Sequence, residues 1–408
     1  MHILLIHQAF AALDEPGGTR HYELARCLAQ RGHRVTIIAS PVSYLTGVPP
    51  PVSPPIFEEN GGGSGGVTIL RTATYHALHR SFVHRVFVFF SFMLSSFVVG
   101  LKVRKVDLVW GTSPPIFQGW TAWTLARLKR VPFLFEVRDL WPAFAVAVGV
   151  LRNRTLIRLS EWLERFLYRH ADRVMVNSPG FIAHVKSRGA KRVELVPNGA
   201  DPDMFDPSDA GEAFRIRHRL ADKFVVLYAG AHGLSNDLGV VLGAAKILQD
   251  VTVTSKVTVT FLGDGKEKPN LEKQAKSLGL TNILFLPPVP KTEMPAALAG
   301  ADACLAILKP IEEYKTTYPN KVFDYMAAGR PVALAIDGVI REVIAAAGCG
   351  IFAQPGDPAA LANAIRTLAS DPERSREMGL KGRRYVEAHF SRSMLAEKLA
   401  HILEEMTA

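Results

Sequence analysis

The chain has 408 residues, of which 48% are hydrophobic, and it carries a formal net charge of +10. This length exceeds one typical hydrophobic core, so two domains are predicted. The positive charge suits nucleic acid, an anionic membrane surface or anionic substrates. The three cysteines, Cys27, Cys304 and Cys349, are too far apart for a zinc knuckle or a disulfide framework, which favours a reducing compartment.

The chain opens with a strand–helix–strand pattern. Residues 2–7 form a continuous apolar run, which predicts a buried parallel strand. A signal peptide is not expected, because no basic region precedes this run and no small-residue cleavage site follows it. A helix over residues 20–31 and a strand over 34–39 complete one βαβ unit. Gly17 and Gly18 lie at the strand-to-helix junction, where backbone amides can approach a ligand, but a plain tight turn explains them equally well.

The segment from residue 42 to residue 66 has little regular pattern. Five prolines at positions 49–55 precede GGGSGG at 61–66, which predicts a long loop. Such a loop serves either as a lid or acceptor clamp, or is a disordered insertion.

Residues 71–105 combine an apolar run with basic ends. There is no Asp or Glu from residue 60 to residue 106. The Phe-rich run at 86–101 is shorter than the roughly 20 residues that a transmembrane helix needs. We therefore predict a helix near residues 82–101 that lies in the headgroup plane of an anionic membrane. The alternative is a core helix whose basic ends snorkel. The residues assigned to this acceptor and membrane surface are Arg80, Arg85, Phe89, Phe90, Phe92, Lys102 and Arg104.

The alternation of strands and helices continues along the chain and restarts after about residue 210. Strands are predicted over residues 67–71, 108–110, 133–137, 174–177 and 192–196, and then over 224–229, 256–262, 283–286, 303–308, 332–335 and 350–353. Two doubly wound α/β domains are therefore predicted, joined near residues 198–212. A basic amphipathic helix over residues 151–170 either supports the membrane surface or only packs on the sheet. The last helix is predicted over residues 393–406.

Two glycine-rich segments end successive strands of the second domain. In YAGAHG, Gly230 and Gly233 allow a diphosphate to approach the backbone, and His232 is placed to touch it. In GDGKEK, Lys268 supplies charge for phosphate. Tight packing between strand and helix is the alternative explanation for the glycines.

The stretch PNKVFDYMAAGRPV, residues 319–332, predicts a strand–loop–helix device that holds a phosphorylated ligand. Pro319 and Asn320 suit the beginning of a helix, and Gly329 suits its end. Lys321 and Asp324 then lie near the helix N-terminus, where anions are attracted. An ordinary surface helix is the alternative.

Together these segments resemble the family-4 retaining glycosyltransferases. The second half matches in YAGAHG, LGDGKEK, PPVPKTEMP, KVFDYMAAGRPV and PGDPAALANAI. The first half, in HQAF, GGTRHYELARCLAQRGHRVTIIAS, FEVRDLWP and PNGAD, resembles the subgroup that builds bacterial surface polysaccharides, such as the fucosamine transferases of O-antigen and colanic acid assembly. The resemblance implies an α/β fold of the GT-B type, in which two Rossmann-like doubly wound parallel-sheet domains face each other across a cleft.

The resemblance also implies domain roles. Residues 1–205 would bind the acceptor, residues 206–390 the nucleotide sugar, and the helix at 391–408 would cross back to the first domain. A hexosyl or acetamidosugar group would pass, with retention, from a nucleotide sugar, a UDP-sugar by expectation, to a lipid-linked polyprenyl diphosphate glycan. The resemblance implies that no cofactor and no metal is required. Asp201 and Asp203 look like the Asp-x-Asp that chelates divalent metals in some transferases, but no other carboxylates cluster with them. The expected place is the cytoplasmic face of the bacterial inner membrane, as a peripheral protein.

The family's pair of glutamates, eight positions apart, is altered in this chain. The second position is Asp324, which could still bind ribose hydroxyls, and the first is Thr316. Thr316 and Thr317 are predicted to donate hydrogen bonds to the sugar or the diphosphate. Lys321 and Lys268 are predicted to supply charge for the diphosphate.

The segment FEVRDLWP departs from the family as well. Many relatives place His-Asp at the end of this strand, whereas this chain has Arg138 and Asp139. Arginine does not act as a base near neutral pH, so Arg138 is predicted to steady the diphosphate or to orient Asp139. Asp139 or Glu136 is predicted to accept the acceptor's proton, unless the leaving phosphate takes it. A buried structural Arg–Asp pair is the alternative.

Three functions remain open from the sequence. A polyprenyl diphosphate acceptor explains the charge and the Phe-rich run together, whereas nucleic acid explains only the charge, and no nucleic-acid-binding motif occurs. A nucleotide-sugar 2-epimerase on the same fold would leave the membrane helix unexplained. The missing glutamate and histidine would also fit a non-catalytic partner in a polysaccharide assembly complex.

Overall fold

The computed structural model describes residues 1–42, 57–58, 66–75, 82–249 and 257–408. These residues divide into two compact units. Unit 1 comprises Met1–Ala12, Gly17–Pro197 and Ser393–Ala408, and unit 2 comprises Leu13–Pro16 and Asn198–Arg392.

Unit 1 is built on one sheet of eight described strands. In chain order these are β1 (His2–Ile6), β2 (Arg34–Ala39), β3 (Phe57–Glu58), β4 (Gly66–Arg71), β5 (Leu108–Ser113), β6 (Phe133–Val137), β7 (Arg173–Val176) and β8 (Val193–Leu195). They lie in the order β3-β4-β2-β1-β5-β6-β7-β8, and every pair is parallel except β3 with β4. The central strands β1, β5 and β6 are completely buried, which explains their unbroken apolar sequences.

The helices of unit 1 cover this sheet. Before the second unit begins they are α1 (Arg20–Gln30), α2 (Phe82–Lys102), α3 (Phe117–Lys129), α4 (Ala143–Ala147), α5 (Arg154–His170) and α6 (Ile182–Ser187). The N-terminus of α5 is capped by Asn153, whose side-chain oxygen accepts hydrogen bonds from the amides of Thr155 and Leu156.

Unit 2 holds a second sheet of six described strands, all parallel. The strands are β9 (Phe224–Ala229), β10 (Val257–Leu262), β11 (Ile283–Leu286), β12 (Ala303–Ile307), β13 (Val332–Ala335) and β14 (Gly350–Phe352), in the order β11-β10-β9-β12-β13-β14. Its helices are α7 (Glu212–Arg217), α8 (Leu238–Gln249), α9 (Lys268–Ser277), α10 (Met294–Ala299), α11 (Asn320–Ala327), α12 (Val339–Ala347), α13 (Pro358–Ser370) and α14 (Pro372–His389).

The last helix, α15 (Arg392–Thr407), packs within unit 1. Arg173, the first residue of β7, donates to the carboxylate of Glu405 at 2.6 Å, and Arg31 after α1 pairs with Glu397 at 3.2 Å. The end of the chain is therefore part of the first folding unit.

The predicted fold class, two doubly wound parallel sheets, is confirmed. Each predicted strand that lies in the described residues occurs, with its ends shifted by at most three residues. The strand–loop–helix arrangement predicted for residues 319–332 also contains its helix, because α11 begins at Asn320 and Gly329 follows it with φ +68°. The strand β3 was not predicted, since two residues carry no periodicity. Most of the predicted loop at 42–66, and residue 256, lie outside the described residues.

The strand order fixes where each unit can hold a ligand. In unit 1 the chain moves outward from β1 through β2 to β4 and then returns to β5 on the other side of β1. Unit 2 repeats this, with β12 on the opposite side of β9 from β10. In doubly wound sheets ligands bind outside the carboxyl ends of the strands at such reversals.

Candidate active site

Two glycine loops interlock at the reversal point of unit 2. The amide of Gly230, after β9, donates to Leu262, and the amide of His232 donates to Asp264. A Cβ on Gly263 would lie 2.0 Å from the carbonyl oxygen of Gly230, so this glycine is needed for contact between the loops themselves. Around Gly233, in contrast, the nearest atom to such a Cβ is 3.6 Å away. The loops therefore form a packed floor that is open beside Gly233.

Lys321 lies at the N-terminus of α11 and reaches this floor. Its Nζ atom is 3.8 Å from the centroid of the Tyr228 ring, and a Cβ on Gly230 would come within 2.9 Å of it. Burial lowers the pKa of Lys321 to about 7. Among the described residues no carboxylate lies within ion-pair distance of this ammonium group. A buried cation at a helix N-terminus, stabilised only by an aromatic face, favours an anionic ligand.

Lys268 has a structural role that its sequence position did not reveal. Its Nζ atom donates to the carbonyl oxygens of Gly263 at 2.9 Å and Leu286 at 3.0 Å. The ammonium group thus joins the carboxyl ends of β10 and β11. Two of the three N–H groups of Lys268 are therefore already engaged. The predicted contact of Lys268 with the diphosphate stays a prediction.

Asp324, predicted to bind ribose, forms a salt bridge. Its Oδ2 atom lies 2.6 Å from the Nζ atom of Lys291, and both side chains are largely buried. Lys291 also approaches the Phe205 ring, at 5.4 Å from its centroid. The carboxylate is therefore held in place by a partner from the segment before α10, which sequence analysis missed because the two residues are 33 positions apart.

The threonines and His232 differ in their surroundings. Thr316 donates its hydroxyl hydrogen to the carbonyl of Glu313 at 2.6 Å, so it closes its own turn. The Thr317 hydroxyl is buried and has no hydrogen-bond partner among the described residues. The same holds for both ring nitrogens of His232, which packs against Phe261 and Phe285. Burial, with the nearby positive charges of Lys268 and Lys321, lowers the pKa of His232 to about 4, so the ring is neutral.

Gly17 and Gly18 lie before α1 in unit 1. A Cβ on Gly17 would lie 2.8 Å from the Cβ of Ala11, whereas one on Gly18 would meet nothing within 4 Å. Gly17 is therefore needed for close packing against Ala11. The backbone at Gly18 is open, and the contact of Gly17 and Gly18 with the donor stays a prediction.

Glu136, in β6, is the hub of a buried polar cluster in unit 1. Its carboxylate accepts hydrogen bonds from Arg20 at 3.1 Å, His21 at 2.6 Å and Trp110 at 3.2 Å. Burial disfavours its charge, but His21 and Arg20 outweigh this effect and hold the pKa of Glu136 down at about 2. Because Glu136 is completely buried and fully engaged, Asp139 is the better placed of the two predicted bases.

Arg138 and Asp139 follow β6 directly. Arg138 donates from Nη2 to the carbonyl of Pro114 at 2.8 Å, and its amide donates to the carbonyl of Ser113. The guanidinium group thereby joins the turns after β5 and β6. Burial raises the pKa of Asp139 to about 6, with Arg138 opposing the shift. A carboxylate of that pKa is ionised at neutral pH and still basic enough to accept a proton.

The Glu136 cluster leads to a stability prediction. Glu136→Gln is expected to lower the free energy of unfolding of unit 1 by about 3 kcal/mol, because Arg20 would lose its buried counter-charge. Tryptophan fluorescence during urea unfolding reports on unit 1, which contains all five tryptophans. Glu194→Gln removes a partly exposed partner of Arg173 and is the control, with an expected loss under about 1 kcal/mol. Equal losses in the two variants would contradict the hub role.

Comparison with known proteins identifies the family. A glycosyl transferase 4-like domain matches residues 17–199, and glycosyl transferases group 1 match residues 223–371. The chain belongs to the family-4 glycosyltransferases. The putative colanic acid biosynthesis glycosyl transferase WcaI of Escherichia coli (strain K12) is 24% identical to this family-4 glycosyltransferase over 325 residues, which are 75% of this chain and 76% of WcaI. A D-inositol 3-phosphate glycosyltransferase of Streptomyces avermitilis is 29% identical over 230 residues, 53% of this chain, and the match spans about half, 48%, of that relative's length.

Solved structures agree on the fold of this family-4 glycosyltransferase. Sucrose-phosphate synthase of Thermosynechococcus elongatus is similar with a TM-score of 0.79 at 20% identity, covering 99% of this chain and 98% of that one. HepE of Anabaena, in complex with UDP and glucose, is similar with a TM-score of 0.72 at 17% identity, covering 99% and 100%. At such identity the similarity concerns the fold alone, and it confirms the predicted GT-B type.

Helix α2 of this family-4 glycosyltransferase is apolar on two sides. One side is buried at Val88, Phe92 and Ser96. The opposite side is an exposed apolar row, which we name the α2 stripe: Phe87, Phe90, Leu94, Val98 and Leu101. Within the described part of the chain, no helix is both long and apolar enough to cross a membrane.

The structure corrects part of the predicted membrane surface. Phe92 is completely buried, so its predicted contact with the membrane is wrong. Phe90 is exposed on the α2 stripe, and Phe89 is half-buried against Phe117. Arg80 lies outside the described residues, and so does the side chain of Arg85.

Basic side chains gather where α2 and α3 end. Lys129 ties the two ends together by donating to the carbonyls of Leu101 and Val103, at 3.3 and 2.6 Å. The exposed basic residues beside it are Lys102, Arg104, Lys105, Arg127 and Arg130. The α2 stripe therefore ends in a positive cluster, which contains the predicted Lys102 and Arg104.

Helix α5 also exposes apolar side chains. Leu156, Leu159 and Trp162 are exposed, while Leu163 and Leu167 of the same helix are buried. Among the described residues, no three potential metal ligands cluster, and the metal-free character of the enzyme stays a prediction. Asp201 instead caps a short helical turn by accepting from the amide of Asp203 at 3.2 Å.

Proposed function

We propose that this protein is a retaining glycosyltransferase that moves a sugar from a UDP-sugar to a lipid-linked polyprenyl diphosphate glycan. The reaction takes place at the cytoplasmic face of the bacterial inner membrane, during assembly of a surface polysaccharide, and needs no metal. The observation that carries this proposal is the α2 stripe, an apolar surface with a positive cluster at its end, in a family-4 glycosyltransferase. Such a surface suits an interface with anionic lipid.

Unit 2 supplies the donor side of the proposal. Lys321 presents a buried positive charge at the reversal point of the sheet, against Tyr228 and Gly230. A diphosphate would neutralise this charge and accept hydrogen bonds from the N-terminus of α11. HepE, which has the same fold, has been solved with UDP and glucose, and this supports a UDP-sugar for the present chain.

Unit 1 supplies the acceptor side. The turn after β6 holds Arg138, which suits an anionic acceptor head, and Asp139, whose pKa of about 6 suits a base. The similarity to WcaI, named for colanic acid biosynthesis, supports a surface polysaccharide. A water-soluble phosphorylated acceptor, as named for the D-inositol 3-phosphate glycosyltransferases, would make no use of the exposed α2 stripe.

A thermal-shift screen with UDP, GDP, ADP, TDP and their common sugars tests the donor. A ligand that binds only the folded protein raises its melting temperature by mass action. We expect UDP and one UDP-sugar to raise it and the other nucleotides to leave it nearly unchanged. Cooperative melting with no shift by any nucleotide would contradict the transferase.

The membrane surface makes a separate prediction. The triple change Phe87→Ser, Phe90→Ser and Leu94→Ser is expected to weaken binding to anionic liposomes by about tenfold or more, because three apolar side chains no longer enter the lipid. Liposome sedimentation measures the bound fraction. Ile216→Ser and Leu278→Ser change exposed apolar residues of unit 2 and are the control. Unchanged liposome binding of the triple variant would show that the α2 stripe is not the membrane surface.

A further inference from the structure

We propose that a row of three aromatic residues in unit 1, Phe90, Phe117 and Trp141, binds the isoprenoid chain of the acceptor and leads it to Arg138. We call these three residues the aromatic row. This inference rests on the proposed function, since it assigns a subsite for the apolar part of a lipid-linked acceptor.

The three rings form an unbroken path from the surface inward. Phe90 is 42% exposed on the α2 stripe, and its ring centroid is 5.4 Å from that of Phe117, the first residue of α3. The centroids of Phe117 and Trp141 are 5.9 Å apart, and both side chains are half-buried. Phe89 flanks the path at 5.9 Å from Phe117. Each ring is therefore in contact with the next, and the first ring continues the surface proposed to meet the lipid.

The inner end of the aromatic row meets the predicted catalytic turn. Trp141 lies two residues after Asp139, and its amide donates to the Asp139 carbonyl at 2.9 Å. The guanidinium group of Arg138 donates to the carbonyl of Pro114, three residues before Phe117. The path thus runs from an apolar surface to a cation and a carboxylate.

An apolar path that leads to a cation matches one class of ligand. An isoprenoid diphosphate has a branched apolar chain at one end and an anionic head at the other, in the order that the aromatic row and Arg138 present. Half-buried aromatic rings offer apolar faces to which branched chains can pack, whereas core aromatics of the same unit, such as Phe133 and Phe135, are completely buried. A nucleotide sugar or a soluble sugar phosphate has no apolar chain to fill the row.

Calorimetric titration of the full chain with farnesyl diphosphate and with inorganic diphosphate tests the proposal without any sugar transfer. The wild type is expected to bind farnesyl diphosphate about tenfold or more tighter than inorganic diphosphate, because the row buries the chain. Phe117→Ala and Trp141→Leu should reduce this preference to about threefold or less. Leu128→Ala, an exposed apolar change on the same helix α3, should leave it unchanged.

Melting temperatures show whether each variant is folded, and Phe117→Leu, a milder change, is expected to lose part of the preference if Phe117→Ala unfolds. Arg138→Gln should weaken the binding of farnesyl diphosphate and of inorganic diphosphate by the same factor. Equal affinity of the wild type for the two ligands, or a full preference in folded Phe117 variants, would overturn the proposal. If UDP still raises the melting temperature in that case, the transferase stands and only the lipid path fails.

Discussion

Replacing Lys321 by alanine is expected to weaken UDP-sugar binding by about 100-fold. The ammonium group of Lys321 is buried over the Tyr228 ring beside the glycine loops, so it supplies charge where the diphosphate is proposed to bind. Loss of one partner from a buried charged contact costs about 2–5 kcal/mol. Calorimetry with UDP and the preferred UDP-sugar measures the loss. Lys273→Ala removes the same charge from an exposed position on α9 and should change affinity less than about twofold.

The same lysine predicts how donor affinity depends on pH. Burial holds the pKa of Lys321 at about 7, and the ammonium group is charged below its pKa. Affinity for the diphosphate should therefore fall as the pH rises above about 7. In Lys321→Arg the charge persists at every working pH, so this decline should disappear. Unchanged affinity in Lys321→Ala, or an equal decline with pH in Lys321→Arg, would remove Lys321 from the donor site.

Asp139→Asn is expected to lower turnover by about 10²- to 10⁴-fold while leaving donor affinity unchanged, because general-base catalysis contributes a factor of this size. Since burial raises the pKa of Asp139 to about 6, wild-type turnover should increase as the pH rises through 6 and the carboxylate loses its proton. Steady-state rates from pH 5 to 8 measure both effects.

Asp139→Glu is the matched control for this prediction. This variant keeps the carboxylate and should retain more turnover than Asp139→Asn. Its turnover should also increase as the pH rises through the pKa of the new carboxylate. Full turnover in Asp139→Asn would show that Asp139 is structural and that the leaving phosphate takes the proton.

The sequence was a good guide to the fold because all strands except the short β3 pair in parallel. Strands such as β1, β5 and β9 are buried on both faces, so each of them can be recognised in the sequence as an unbroken apolar run. The turn at Gly329 was equally visible, because its positive φ favours glycine.

Side-chain partners could not be predicted in the same way. The contacts of Asp324 with Lys291, and of Glu136 with Arg20, join segments that only the folded sheets bring together. Phe92 was wrongly assigned to the membrane surface, because the composition of an apolar helix does not indicate which of its sides is buried. Of the aromatic row, Phe90 was predicted as part of the membrane surface and Trp141 lies in the segment FEVRDLWP, but the sequence did not indicate that these two residues come together through Phe117.

Transfer of label from a UDP-sugar into lipid is the most direct test of the central claim. The protein would be incubated with radiolabelled UDP-sugars and with polyprenyl-linked glycans extracted from bacterial membranes, and the organic and aqueous phases would be counted. We expect label from one UDP-sugar to enter the organic phase, and Asp139→Asn to lower the rate of this transfer by about 10²- to 10⁴-fold. Label that remains in the aqueous phase as free sugar, as an epimerised nucleotide sugar or on a water-soluble acceptor would contradict a lipid-linked acceptor.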